Sequence, residues 1–362
     1  MHCYRSMHMS QLSRIQRICD ANGISGFEDD IVRAIRDEAG TLGRFAEDSL
    51  RNLYLYRTEN QSDKPVVLLD AHTDEVGFMV KCIRPDGMLE FIPIGGWVSS
   101  NIPAHLVRVQ TFDGKTIPGI VGSKPPHYQS EAERKSAPDI ASMYIDIGAS
   151  TIEQVLQMGV DVASPIIPEA KVIYNEENGL LFGKAFDCRL GCTTIIDVLD
   201  ALKGKQLDVN LVAGFASQEE VGCRGAQLTA RKVKPDVAIC FEGSPADDTF
   251  LPAYQQQTIV GKGPMLRFID SKMITNPRFQ KFALDSAARF DIPVQKGVRN
   301  GGATNASALH LSEQGVPTIV IGIPVRYAHT HWGVSSLDDV QNSIRLASAM
   351  LTELNAQTIA TF

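Results

Sequence analysis

The sequence predicts an α/β fold, a sheet sandwiched by helices on both faces and split by an inserted small β-barrel or sandwich. Three observations carry this. Apolar strand-like runs (Val66–Leu69, Leu211–Phe215, Val237–Phe241, Thr318–Ile323) alternate with helical patterns, which is how a helix-covered sheet reads. Between about Gly77 and Ile166 the pattern changes to short alternating or β-branched runs broken by turn signals. Finally, 362 residues exceed the size at which a single core usually stops growing.

In chain order, Leu12, Ile15 and Ile18, then Ile31 and Ile35, recur at helical spacing and are broken by Gly23-Ile24-Ser25-Gly26, so two opening helices are expected. The inserted region carries Pro85-Asp86-Gly87, Gly95-Gly96 and Asp113-Gly114 as turns. Its stretch from Lys124 through His127 to Lys135 is polar and proline-punctuated, and reads as a long exposed loop. After it, Thr194, Ile195, Val198, Leu199 and Leu202 mark a helix that begins near Phe186-Asp187-Cys188-Arg189. No internal repeat or low-complexity tract interrupts the pattern.

With 44% hydrophobic and 21% charged residues the composition is that of a globular protein, and no tract is apolar enough to cross a bilayer. The start, Met1-His2-Cys3-Tyr4-Arg5-Ser6, enters a polar helical pattern where a secretory signal would be apolar, so a cytoplasmic location is expected. Seven cysteines without a C-x-x-C pair read as reduced thiols. A net charge of −7 argues against a nucleic-acid surface.

The chemistry collects where the apolar runs end. Val66–Leu69 runs into Asp70-Ala71-His72-Thr73-Asp74-Glu75, the 211–215 run into Gln218-Glu219-Glu220, the 237–241 run into Glu242, and the 318–323 run leads to His329 and His331. Asp187 stands at the helix start. In open α/β sheets ligands bind outside the carboxyl ends of the strands. Singly, each residue has an ordinary explanation, as a solvated strand end or an N-cap. Five segments converging with histidines and carboxylates read instead as a metal site, since that donor set suits zinc and similar ions. In the pair Glu219-Glu220, neighbours point different ways, so one can ligate while the other stays free as a general base.

These same segments resemble the TET-type dinuclear metallo-aminopeptidases, the family of glutamyl and deblocking aminopeptidases and of proteins once labelled cellulase M. The resemblance rests on Ala71-His72-Thr73-Asp74-Glu75-Val76-Gly77-Phe78, Phe186-Asp187-Cys188-Arg189, Gln218-Glu219-Glu220-Val221-Gly222, Gly261-Lys262-Gly263-Pro264 and Arg326-Tyr327-Ala328-His329, and spans nearly the whole chain. It implies a zinc-exopeptidase-like mixed sheet in a discontinuous catalytic domain, residues 1–76 and 167–362. Residues 77–166 would form a PDZ-like dimerisation domain, with dimers assembling into a homo-oligomer, a dodecamer. It implies two divalent metal ions per subunit, zinc or cobalt, with manganese as a further choice. His72, Asp187 and Glu242 match one metal's ligands, and Asp187, Glu220 and His329 the other's, with Asp187 bridging. Glu219 matches the general base and Asp74 the carboxylate that orients His72. His331 matches no role, and Cys188 and Cys192 are read as buried thiols.

The implied activity is release of N-terminal residues from peptides. Two positions depart from the pattern. Glu242 stands where aspartate is usual, and glutamate there is typical of related carboxypeptidases and N-acyl-amino-acid deacylases, the alternative reading. Asn305 stands where the family carries aspartate. A non-catalytic metal-binding assembly protein is disfavoured, because Glu219 and every inferred ligand are present. Lys262, Arg267 and Arg326 are candidates for an acidic side-chain preference, with ordinary surface or structural roles as the equal alternative, and the His127 loop for reaching a neighbouring subunit, with a disordered surface loop as the equal alternative.

Overall fold

The computed structural model describes residues 2–362, with side chains described from residue 9 onward; the reading of Met1–Ser6 and of the Cys3 thiol lies outside those side chains. Two helices open the chain, His2–Asp20 and Asp29–Ala39. The second buries Ile31, Val32, Ile35 and Ala39, one apolar stripe at helical spacing, and carries Asp29 and Asp30 in its first turn where the helix dipole favours them.

An eight-stranded mixed sheet follows, in the order Gly43–Glu47, Leu53–Arg57, Asn210–Ala216, Val66–His72, Val237–Pro245, Thr318–Val325, Met265–Ile269, Gln295–Val298. Its four central strands, from Asn210–Ala216 to Thr318–Val325, run parallel, while Leu53–Arg57 and Met265–Ile269 pair antiparallel at either side of them. Alternation along these strands feeds two cores. Val67, Leu69, Ala71, Ile239 and Phe241 pack with the helices Asp29–Ala39, Phe186–Ala201, Pro277–Arg289 and Leu337–Glu353. Leu68 and Ala238 face the other way, onto Ala226, Ala230 and Leu309 of Arg224–Val233 and Ala306–Leu309.

The inserted region is a closed barrel of six strands, ordered Gly77–Ile83, Leu89–Ile94, Tyr144–Asp146, Thr116–Gly122, Leu106–Gln110, Pro165–Pro168. It has its own core, with Phe78, Val80, Leu89, Phe91, Val107, Val109, Val121 and Ile145 pointing inward. The segment expected as an open loop is partly ordered: a 3₁₀ turn at Pro126–Tyr128 and a short helix, Glu131–Lys135. Ser130 and Glu133 close a reciprocal capping box there, the local signal that polarity alone hides. The segment stays exposed, His127 included. Among the described residues no helix is long and apolar enough to cross a membrane, and the six described cysteines are free.

Candidate metal centre

The parallel register brings the strand ends to one level. Ala216 pairs with His72 and Cys240 with Asp70, so the Glu219-Glu220 turn follows the strand end beside His72, and Glu242 stands two residues beyond the Cys240–Asp70 pair. Glu242 lies inside its strand, which continues to Pro245 because it stays paired with Thr318–Val325 as far as Val325. Asp187 comes from across the edge. The first residues of Phe186–Ala201 are not helical, with φ −86° and ψ 110° at Asp187, and the regular helix starts only after Cys188. Gly243 makes room for this approach: a Cβ there would lie 2.5 Å from Asp187 Cα.

Asp187 stands between the two histidines. Its Oδ1 is 3.1 Å from His72 Nε2 and its Oδ2 is 3.5 Å from His329 Nε2. Glu242 Oε1 lies 3.6 Å from His72 Nε2, and Glu220 Oε2 lies 3.3 Å from His329 Nε2. Donor atoms of His72, Glu219 and Glu220, and of Asp187, Glu220 and His329, fall within 4.8 Å of one another. Each imidazole is anchored at the far side: His72 Nδ1 lies 3.0 Å from Asp74 O and His329 Nδ1 lies 3.0 Å from Gly96 O. A carbonyl only accepts, so Nδ1 presents a proton to it and Nε2 is the ring atom that faces the carboxylates, the orientation metal-binding histidines adopt.

That arrangement calls for positive charge. Burial, with repulsion from Asp187 added, raises Glu219 and lifts Glu220 and Glu242 well above the carboxylate range. Burial would raise Asp187 as well, but hydrogen bonds to His329 and His72 outweigh it and hold it low. Burial would depress the histidines, yet Asp187 and its neighbours raise His72 well above its usual value and His329 to about 10. Glu242 Oε2 is buried without a hydrogen-bond partner. Crowded carboxylates, imidazole Nε2 atoms directed at them and an orphaned carboxylate oxygen form a donor set that fits divalent cations.

Asp74 is fully buried, and its carboxylate accepts from Ser25 Oγ at 2.6 Å, Glu219 N at 2.9 Å and Glu220 N at 3.1 Å. Its Oδ1 is 3.4 Å from His72 Nδ1, farther than its own main-chain carbonyl. The side chain therefore fixes chiefly the Glu219-Glu220 turn, and the main chain fixes the His72 ring. Glu28 Oε1 supports the same turn, accepting from Gly26 N at 2.8 Å and Gln218 N at 3.2 Å. Beneath it, Glu75 is buried between Lys184 and Arg189, 3.0 Å from Arg189 Nη2, and Arg189 also donates to the carbonyls of Thr73 and Gly23.

Sequence reasoning missed Ser25, Glu28 and Gly96. Ser25 and Gly96 lie in glycine-flanked turns, and that signal reveals a bend but not what the bend touches. The remaining singled-out residues are engaged elsewhere or, for Cys188, lie beside the donors as a protonated thiol. His331 is buried against His105 and Trp97. Cys188 Sγ, close to His72 and Asp187, donates to Phe241 O at 3.1 Å, and burial raises its thiol far above the range where a thiolate ligand forms. Cys192 Sγ donates to His72 O at 3.1 Å. Asn305 Nδ2 donates to Asp70 Oδ2 at 2.8 Å, behind His72, and burial lifts Asp70 to about 7. Arg326 is held by both oxygens of Asp248 at 2.9 and 2.6 Å, and Arg267 by Asp270 at 3.3 Å, so both charges are matched within the chain; Lys262 is exposed.

Comparison with known proteins agrees with this architecture. The profile of the M42 glutamyl aminopeptidase family matches residues 52–346. The chain is 32% identical over 354 residues to a glutamyl aminopeptidase of Lactococcus lactis subsp. cremoris, covering 97% of this chain and 99% of that protein. Its structure superposes with a TM-score of 0.93 on a TET aminopeptidase from the marine sediment archaeon Thaumarchaeota archaeon SCGC AB-539-E09, at 34% identity over 97% of this chain and 99% of that one. With the Pyrococcus horikoshii TET1 peptidase, described as assembling into a tetrahedron or a large octahedral shell, the TM-score is 0.85 at 25% identity, covering 95% of this chain and 100% of that one. With every candidate donor from His72 to His329 inside the matched region, the chain belongs to the M42 glutamyl aminopeptidase family of metal-dependent peptidases.

Proposed function

We propose that the chain is an aminopeptidase holding two divalent metal ions, His72, Asp187 and Glu242 ligating one and Asp187, Glu220 and His329 the other. The observation that carries this reading is Asp187, with one oxygen toward each imidazole, 3.1 Å from His72 Nε2 and 3.5 Å from His329 Nε2. When bound, such a pair polarises the scissile carbonyl and lowers the pKa of water from about 16 toward about 7. Zinc or cobalt suits the mixed imidazole and carboxylate set, and manganese suits it less well.

Glu219 is the general base in this reading. Its carboxylate stands beside His72 and Glu220, its backbone is pinned by Asp74, and its Oε1 accepts from Cys223 Sγ at 3.2 Å. It takes a proton from the attacking water and returns it to the departing amine. The surrounding carboxylates attract the free ammonium of a peptide's first residue, which favours cleavage at the amino end. The alternative, a carboxypeptidase or N-acyl-amino-acid deacylase, rests on Glu242 alone, and family membership does not favour it.

The proposal divides the chain into a catalytic body, residues 1–76 and 167–362, and a dimerisation barrel, residues 77–166, whose closing strand reaches Pro168. Exposed apolar side chains on the inserted region, Val98, Leu106 and Phe112 among them, support self-association through it. By analogy with a solved TET1 structure described as a dodecamer, twelve subunits is the expected form, measurable by light scattering.

The test is Glu219→Gln. It should lower kcat on aminoacyl p-nitroanilides by about 10²–10⁴-fold, the usual worth of a general base, with metal content unchanged. Near-normal turnover would end the mechanism.

A further inference from the structure

We propose that the inserted barrel completes the metal centre: it sets His329 through the Gly96 carbonyl, with His331 serving as an aromatic wedge that locks the His329 segment to the barrel. This inference rests on the two-metal reading above and assigns positioning roles to Gly96 and His331.

His329 needs an external support. It lies four residues beyond the Thr318–Val325 strand, in a turn where Tyr327 and His329 both have positive φ, 58° and 61°. Its side chain is 38% exposed, unlike His72 at 1%. The carbonyl that receives its Nδ1 proton belongs to Gly96, just past the barrel strand Leu89–Ile94, so barrel and catalytic body meet at a ligand. A Cβ on Gly96 would lie 3.3 Å from His329 Nδ1, tight enough that the ring would have to shift by a few tenths of an ångström.

The Gly96 turn is itself tied to the barrel. Trp97, next in the chain, donates from Nε1 to Gly77 O at 3.1 Å and stacks on Phe78 with centroids 4.5 Å apart. His331 joins this group from the catalytic side. It is wholly buried, stacks on His105 at 4.0 Å and 15°, and sits 5.1 Å from Trp97 and 6.4 Å from Phe78. Neither of its ring nitrogens has a hydrogen-bond partner. A buried imidazole that makes no polar contact contributes its flat shape and stacking, not its nitrogens. Pinning residue 331 on one side and receiving Nδ1 of residue 329 on the other leaves His329 little freedom to turn its Nε2 away from Asp187 and Glu220.

The experiment strips the protein with a chelator and titrates it with zinc against a chromophoric competitor, with thermal unfolding of the stripped protein as a check on folding. Wild type should take up two ions. His331→Ala should weaken one of the two about 10–100-fold, the usual worth of a residue that orients a metal ligand, and leave the other near its wild-type affinity. His331→Phe, which keeps the ring and drops the nitrogens, should stay within about threefold of wild type at both, the range its unpartnered nitrogens allow. If His331→Ala does not fold, Gly96→Ala should give the same one-site loss. Wild-type affinity at both sites in the alanine variants, or a loss in His331→Phe as large as in His331→Ala, would overturn the inference. A wild type that takes up a single ion would instead defeat the two-metal reading, and the inference would then stand or fall on that ion's affinity in His331→Ala.

Discussion

Replacing Asp74 with asparagine changes one atom's chemistry at the centre of the site, and its effect follows from three distances. The buried carboxylate accepts from Glu219 N at 2.9 Å through Oδ1, and from Glu220 N at 3.1 Å and Ser25 Oγ at 2.6 Å through Oδ2. An amide has one accepting oxygen. Whichever way it turns, its NH₂ must face one of the two backbone N–H groups, and a buried donor left unmade costs about 1–3 kcal/mol. The bonds that survive lose their charge assistance, about 1 kcal/mol each. The expected destabilisation of the metal-free protein is therefore about 2–5 kcal/mol, read from urea unfolding after chelation. Glu219 is carried on that turn, and a displacement of about 1 Å costs on the order of 10²-fold in kcat. If Asp74 served only to orient His72, the Asp74 main-chain carbonyl at 3.0 Å would still hold the ring, and Asn would be tolerated. A stability loss below about 1 kcal/mol with kcat within about threefold of wild type would refute the reasoning, since at least one buried donor must go unpaired.

Three further outcomes are expected. Gly243→Ala puts a Cβ 2.5 Å from Asp187 Cα and 2.9 Å from its N, so Asp187 must move; if it is the proposed shared ligand, metal uptake in a chelator competition should drop by at least about tenfold, and unchanged uptake would count against that role. Glu75→Gln leaves Lys184 and Arg189, both essentially unexposed, without their shared carboxylate, and should cost about 3–5 kcal/mol in denaturant unfolding; a neutral substitution would show that the backbone carbonyls around Arg189 suffice. Chelation should abolish peptidase activity and lower the unfolding temperature, because an ion present at about 100 times its Kd stabilises the folded state by about 2.7 kcal/mol per site. An identical melting curve with and without metal would argue against tight binding by the native fold.

Much of the candidate site was legible because its physics is local. An apolar β-branched run buried on both faces has to end in polar residues, and His72, Glu219-Glu220 and His329 follow such runs within a few positions. The change from helical to alternating periodicity likewise marked the barrel near Gly77, where its first strand begins. Glu242 was found for a partly different reason than expected: it is a member of the strand and does not cap it. Ser25, Glu28 and Gly96 escaped because what matters about them is contact across the chain. Ser25 reaches Asp74 over 49 positions, Glu28 reaches Gln218 over 190, and Gly96 reaches His329 over 233. The order within the Lys124–Lys135 segment depends on a capping box whose reciprocity appears only once the backbone turns.

The sequence by itself determined the α/β body, the interrupting β region and the residue types of a metal site, since hydrophobic periodicity and donor chemistry are written residue by residue. Only the tertiary structure decided which of those donors meet. Strand register sets His72 beside Glu242, the opening of Phe186–Ala201 departs from helical geometry to bring Asp187 between two imidazoles, and barrel closure carries Gly96 to His329. Those are long-range packing outcomes, in which the burial of three separate cores fixes the positions of side chains that local pattern can name but cannot bring together.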